Sequence, residues 1–345
     1  MSEQLIAVTI LWGFVFIYAV MATMDFGAGF WSMIYLNKEQ TKATNIANRY
    51  LSPTWEVTNT FIVAIVVAIY SFFPGAAFTL GTILLIPGSI ILLLLAIRSG
   101  FMVFSHVADD YRVALTYISG ITGLLIPGFL IAVLPISHGG FVELESAAPS
   151  LDLQALFTSP HVYSFIGFAI SSTLFLSSLL LADYSKTAGE PNAYKVYRRD
   201  SIILGPISLV MAVLIMLTMR NEANWLYTNM MEQLPLLLLS VAFFVIGGLA
   251  IFVFKDRHGM KGVPRIAVIA VTIQYLLASY VYGRAHLPYF IYPSFTIEDG
   301  FTDSASFQAV FITYIVGFLI LFPGFFYFWR IFMKDSHVRE DTQTE

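Results

Sequence analysis

Two acids and one arginine stand where the chain is otherwise most apolar. Asp25, Glu56 and Arg98 lie inside long hydrophobic stretches, where an ionised side chain costs about 2.5–3.5 kcal/mol on insertion scales, enough to ask what the charge is for. Asp25 is placed about ten residues from the nearer end of its stretch, roughly 15 Å deep at the helical rise. Glu56 opens the second stretch just after Pro53, a position where an ordinary acid at a helix start also favours the positive end of the helix dipole. Arg98 lies within two turns of the end of the third stretch, and two readings stay open for it. It can snorkel to the headgroups, or serve as a counter-ion. The first two stretches are joined by a short connection, so Asp25 and Glu56 belong to the same half of one antiparallel helix pair. A graded pair of acids suits a proton inlet, because a desolvated carboxyl can hold and release a proton and waters can bridge the gaps. Gly27, Gly29, Ser32, Thr58, Asn59 and Thr60 leave room for such waters. They serve close helix packing equally well.

The elements that must position these groups are nine apolar stretches, each long enough to cross a bilayer once: Leu5–Tyr35, Trp55–Phe73, Ala76–Ser105, Val113–Ile136, Val162–Leu181, Ile202–Met219, Leu234–Phe254, Ile266–Tyr282 and Phe307–Trp329. Of the 18 Lys and Arg residues, all but Arg220 and Arg284 fall on one side of this alternation. The positive-inside rule then puts the N-terminus outside and the C-terminus in the cytoplasm. At 58% hydrophobic and 12% charged, with mean hydropathy +0.77, the chain is too apolar for a soluble domain. Spans much longer than the strands of a membrane barrel must be helices, since only a helix satisfies its own backbone in hydrocarbon. The fold expected is therefore all-α and polytopic. The connections are too short to fold independently, so residues 1–335 are read as one integral membrane domain and 336–345 as a cytoplasmic tail. Leu84-Leu85-Ile86-Pro87-Gly88 recurs as Leu124-Leu125-Ile126-Pro127-Gly128, and Phe322-Pro323-Gly324 is similar; helix kinks are expected at all three prolines.

Absences bound the chemistry. With no cysteine there is no thiolate metal site, no iron–sulfur ligand set and no covalent haem attachment. His106, His138, His161, His258, His286 and His337 all fall at span ends, in loops or in the tail, so an axial haem histidine at mid-membrane is not expected. Nucleic-acid binding has no support.

Four local patterns together resemble subunit II of the cytochrome bd-type quinol oxidases. Met24-Asp25-Phe26-Gly27-Ala28-Gly29 is similar to that family's G-F-D-x-G-x-G, and Pro53-Thr54-Trp55-Glu56 to its P-x-W-D-G-N. Arg98-Ser99-Gly100-Phe101 followed by Tyr111-Arg112 resembles its R-x-x-x-F-x-Y-R with a longer spacer. The segment Leu287–Asp299, carrying Pro288, Pro293, Ser294, Thr296 and Asp299, looks like F-P-x-I-x-P-S-x-T-x-x-D. The chain departs from the family where Ala22 stands near a usual acid, and where Glu56-Val57-Thr58 replaces Asp-Gly-Asn. The resemblance implies a haem-free subunit whose larger partner carries haems b and d and oxidises quinol, with protons for oxygen reduction drawn from the cytoplasm. It further implies a lipid-embedded complex with room for a bound quinone and a small single-helix accessory subunit. Residue roles under this reading are Asp25 and Glu56 in proton transfer, Arg98 as counter-ion, and Leu287–Asp299 as an ordered outer turn. The alternatives are a secondary transporter and a purely structural membrane subunit.

Overall fold

Apolar runs punctuated by proline become helices whose ends are set by those prolines. The computed structural model describes residues 2–104, 111–143, 149–253 and 261–332. Helix α1 (Glu3–Tyr35) starts where the Ser2 hydroxyl accepts the Leu5 N–H, satisfying one of the donors that a helix start leaves orphaned. After a 3-10 turn at Glu39–Thr41 come α2 (Ala43–Phe72), α3 (Pro74–Ile83), α4 (Leu85–Phe104), α5 (Arg112–Ile131) and α6 (Val133–Ser137). A short β1–β2 hairpin (Val142–Glu143, Ser150–Leu151) and α7 (Leu153–Thr158) lead to the long α8 (Pro160–Thr187) and α9 (Pro191–Glu222). The chain closes with α10 (Asn224–Met231), α11 (Leu234–Phe252), α12 (Pro264–His286), the hairpin β3–β4 (Tyr289–Ile291, Phe295–Thr296), α13 (Ile297–Gly300) and α14 (Ser304–Phe332).

Seven of these helices are long and apolar enough to cross a membrane, or up to eight when Thr58–Phe72 and Pro74–Ile83, bent by 117°, are taken as one broken span. The continuous helix expected over Ala76–Ser105 is instead two. Helix α3 stops at Ile83, the residue whose carbonyl the ring of Pro87 would strike from four positions on, and the same rule ends α5 at Ile131, four before Pro135. At Pro127 and Pro323, where kinks are expected, the helices do not end; α5 and α14 run through them. Helix α2 begins at Ala43, well before the expected Trp55.

Helix α8 is the centre of the bundle. The most apolar window of α8 is 78% buried, against 6% for α14, which lies at the periphery. Its buried serines are accommodated because Ser164, Ser171, Ser172, Ser177, Ser178 and Ser185 each donate to a carbonyl three or four residues back. Small residues let neighbours close in: a Cβ at Gly27 of α1 would lie 2.1 Å from the Ser177 hydroxyl oxygen. One end of the bundle gathers the basic residues. There Lys42 pairs with Glu190 at 2.8 Å, Arg265 with Asp183 at 3.1 Å, and Lys186 donates to the Gly262 carbonyl.

Candidate functional site

Asp25 and Arg98 meet inside the bundle. The arginine is 2% exposed and the aspartate 5%. Arg98 Nη2 donates to Asp25 Oδ1 at 3.1 Å and to the Asp25 carbonyl at 2.7 Å, while Nη1 donates to the carbonyl and hydroxyl of Ser119. The guanidinium thus ties α4 to α1 and α5 by charge-assisted bonds. It also faces the Phe26 ring at 5.3 Å. Two glycines make the space: a Cβ at Gly29 would lie 2.9 Å from Arg98 Nη1, and one at Gly123 would lie 2.5 Å from the Phe26 carbonyl oxygen and 3.1 Å from Nη1. Snorkelling is not what this arginine does. Burial demands a partner for each charge, and each charge supplies the other's.

From Asp25 a file of polar groups follows one face of α1 toward the basic end, in steps of about one turn. The Arg98 guanidinium sits at the level of Gly29. Ser32 donates to Asn48 Oδ1 at 2.7 Å and accepts at its carbonyl from the Thr44 hydroxyl. Tyr35 then donates to Asp200 Oδ2, whose other oxygen accepts two bonds from Arg199. Asp200, a buried acid, carries no sequence signal that separates it from the basic run Arg198-Arg199 beside it. Glu56 does not open a helix; α2 starts at Ala43, so the helix-dipole reading of this acid fails. It lies two i→i+4 steps beyond Asn48 on α2, and its side chain is outside the described residues.

At the opposite end, Leu287–Asp299 folds into a β-hairpin. Tyr289 pairs with Thr296 and Ile291 with Phe295, and Pro288 and Pro293 each follow a cis peptide bond. The Thr296 hydroxyl and the Asp299 carboxylate form a reciprocal capping box at the start of α13. Those bonds from Thr296 hold the exposed Asp299 carboxyl below its usual range. Pro293 and Ser294 form the exposed tip.

Three of the histidines come together where sequence alone gave no hint. His138 Nδ1 lies 2.8 Å from His161 Nε2, and His138 Nε2 2.6 Å from the Tyr282 hydroxyl. His161 Nδ1 meets the Thr218 hydroxyl at 3.0 Å, and His286 bridges Ser137 and the Tyr289 carbonyl. Burial, reinforced by the neighbouring His286 and His161, pushes the His138 imidazole well below its usual pKa. His138 follows α6, His161 stands in the first turn of α8 and His286 is the last residue of α12, so no spacing within one element announces them. His106, His258 and His337 lie outside the described residues.

Among the described residues no group of three His, Asp or Glu is arranged to hold a metal ion. The family described as cytochrome bd terminal oxidase subunit II matches residues 3–332. A putative cytochrome bd menaquinol oxidase subunit II of Bacillus subtilis (strain 168) is 64% identical over 342 residues, covering 99% of each chain. The structure of bd oxidase from Geobacillus thermodenitrificans contains a chain that superposes with a TM-score of 0.81 at 38% identity, covering 96% of this chain and 99% of that one. By the extent of these matches and by its bundle of membrane-crossing helices, this chain belongs to the cytochrome bd terminal oxidase subunit II family and is a multi-pass subunit of a bacterial membrane quinol oxidase.

Proposed function

We propose that the chain is the haem-free member of the oxidase. In this reading it docks a larger haem-bearing subunit and supplies protons to it from the cytoplasm, the basic end facing inward. The observation that carries this is the buried Asp25–Arg98 pair at the head of a polar file running to that end. Arg98 engages Asp25 Oδ1, and Oδ2 is proposed as the atom that takes up a proton. The guanidinium stabilises the anion that remains once the proton is passed on, so Asp25 need not become an uncompensated charge in hydrocarbon. Glu56 is proposed as a second acid reaching this half of the bundle from α2. Each nitrogen of His138, His161 and His286 is engaged in a hydrogen bond, and an iron would have to displace one, which favours haem binding by the partner. The quinol proposed is menaquinol, as named for the Bacillus subtilis relative.

The test is turnover of the assembled oxidase. Asp25→Asn is expected to lower oxygen consumption by about tenfold to a hundredfold, within or just below the range for a positioned proton-transfer group. Glu56→Gln is expected to lower it less, because the shallower acid has more water detours. Haem content by reduced-minus-oxidised spectrum should stay unchanged in both. An Asp25→Asn enzyme with full haem and full turnover defeats the proton route. A second, purely structural reading is favoured by the use of the Asp25 carbonyl as well as its carboxylate to anchor Arg98, and loss of assembled complex on Asp25→Asn would select it.

A further inference from the structure

Trp12, Tyr282, His286, Trp225 and Tyr292 form an unbroken file of rings from α1 to the β3–β4 hairpin. Trp12 stacks on Tyr282 with centroids 5.7 Å apart and planes 17° from parallel, and Tyr282 on His286 at 5.8 Å and 29°. His286 meets the Trp225 ring edge-on at 5.5 Å, and Trp225 stacks on Tyr292 at 4.3 Å and 12°. Trp12 is fixed by its indole N–H, which donates to the Ser279 hydroxyl at 2.9 Å. Trp12 and Tyr292, the two ends, are both partly exposed. In a chain without cysteine, tryptophan and tyrosine are the side chains that most readily give up a single electron. Electron exchange falls steeply with distance, so rings in contact pass an electron along the file in preference to groups across the bundle.

Tyr282 differs from the tryptophans beside it in having a base. An oxidised phenol is a strong acid and must shed its proton, which inside a protein requires an acceptor already in place. His138 Nε2 lies 2.6 Å from the Tyr282 hydroxyl, and both residues are buried. The neighbouring bonds leave that nitrogen as the acceptor. The Thr218 hydroxyl donates to the Leu214 carbonyl and so accepts from His161 Nδ1–H at 3.0 Å. His161 Nε2 then receives the Nδ1–H of His138 at 2.8 Å, and His138 keeps a lone pair at Nε2. A proton arriving there breaks no bond: His138 Nδ1–H stays on His161, and the new Nε2–H donates back to the Tyr282 oxygen. Burial holds the His138 imidazole below its usual pKa, yet an oxidised phenol is a far stronger acid than any imidazolium, so the transfer is downhill once the electron has left. The same burial returns the proton when the electron comes back.

We propose that Tyr282 and His138 form a redox-active tyrosine–imidazole pair that intercepts oxygen-derived radicals in the membrane, with Trp12 and the Trp225–Tyr292 stack as its two electron routes. A lipid peroxyl radical beside Trp12 takes one electron from the indole and one proton from water, and becomes a hydroperoxide. Trp12 recovers its electron from Tyr282, whose phenolic proton passes to His138 Nε2; a neutral tyrosyl radical is left beside an imidazolium. Quinol, the reductant the oxidase already uses, returns one electron by way of Tyr292 and releases one proton to water, becoming a semiquinone. The proton on His138 goes back to the Tyr282 oxygen, and the pair is restored. This role goes beyond proton supply and does not rest on it.

Electron paramagnetic resonance of the assembled oxidase in lipid nanodiscs tests it, with photogenerated ruthenium(III) tris-bipyridine as the one-electron oxidant. The native complex is expected to give a tyrosyl signal with hyperfine coupling to a histidine nitrogen, identified by isotopic labelling of histidine. Tyr282→Phe is expected to lose the larger part of that signal at unchanged haem content. His138→Gln keeps an acceptor but cannot hold the proton, and is expected to lose the same part although Tyr282 is present. A native signal without the nitrogen coupling overturns the pair, and so does a signal undiminished in either variant. If neither variant assembles, the native spectrum decides: coupling to histidine nitrogen supports the pair, and its absence overturns it.

Discussion

Arg98 is the residue on which the interior charge balance turns. Its guanidinium makes four bonds to α1 and α5, and both members of the pair are almost fully withdrawn from solvent. Taking away one partner of such a pair costs about 3–5 kcal/mol, mostly because the other charge is left buried alone. Arg98→Met is therefore expected to lower the melting temperature of the complex sharply. The double variant Arg98→Met/Asp25→Asn should recover part of that loss, since it removes both charges. A double variant no more stable than Arg98→Met would show that the bonds to Ser119 and the Asp25 carbonyl, not the ion pair, dominate. The pairing itself is not legible from residue order, because Asp25 and Arg98 lie on different helices and either could have found another neighbour. What residue type does convey is that each needed one.

At the scale of elements, proline and small residues decide where helices stop and how near they come. Proline four residues on ends α3 and α5, and this rule is readable in any sequence, although Pro127 and Pro323 show that a proline alone does not require a break. Approach distance is set by pairs such as Gly27 and Ser177, in which the Ser177 hydroxyl also receives the Trp31 indole N–H. Gly27→Ala would place its Cβ 2.2 Å from Ser177 Cβ, an overlap that no side-chain rotation relieves. Overpacking of this kind costs about 1–3 kcal/mol. The variant should yield less assembled oxidase with an earlier thermal transition, and Gly27→Ala/Ser177→Gly should regain part of the loss. Gly13 of the same helix meets nothing within 4 Å, so Gly13→Ala is the matched control expected to be silent.

For the whole molecule, the gathering of Lys and Arg on one side of the apolar stretches makes a prediction about orientation. The chain has no cysteine, so single cysteines can report sidedness without background. Glu39→Cys at the basic end and Glu298→Cys beside the hairpin are both at exposed positions. A membrane-impermeant thiol reagent applied to intact cells should label Glu298→Cys and spare Glu39→Cys, with the reverse in inverted vesicles. Labelling of Glu39→Cys from outside would reverse the topology and, with it, the source of protons assigned to Asp25.

Sequence by itself determined the solvent and the class of fold. Long runs without charge leave the backbone no partner but its own helix, and that holds whatever the neighbours are. It also marked Asp25 and Arg98, because the cost of charge in hydrocarbon depends on depth along one helix and is therefore local. Only the tertiary structure decided that these two meet, that Glu56 lies within a helix that begins at Ala43, and that Asp200 is a buried acid. The same is true of His138, His161 and His286, which stand at the termini of three separate helical segments and come together through the way those termini are packed. Contacts between helices depend on crossing angle and close approach, quantities shared by two elements that the order of residues within either one does not specify.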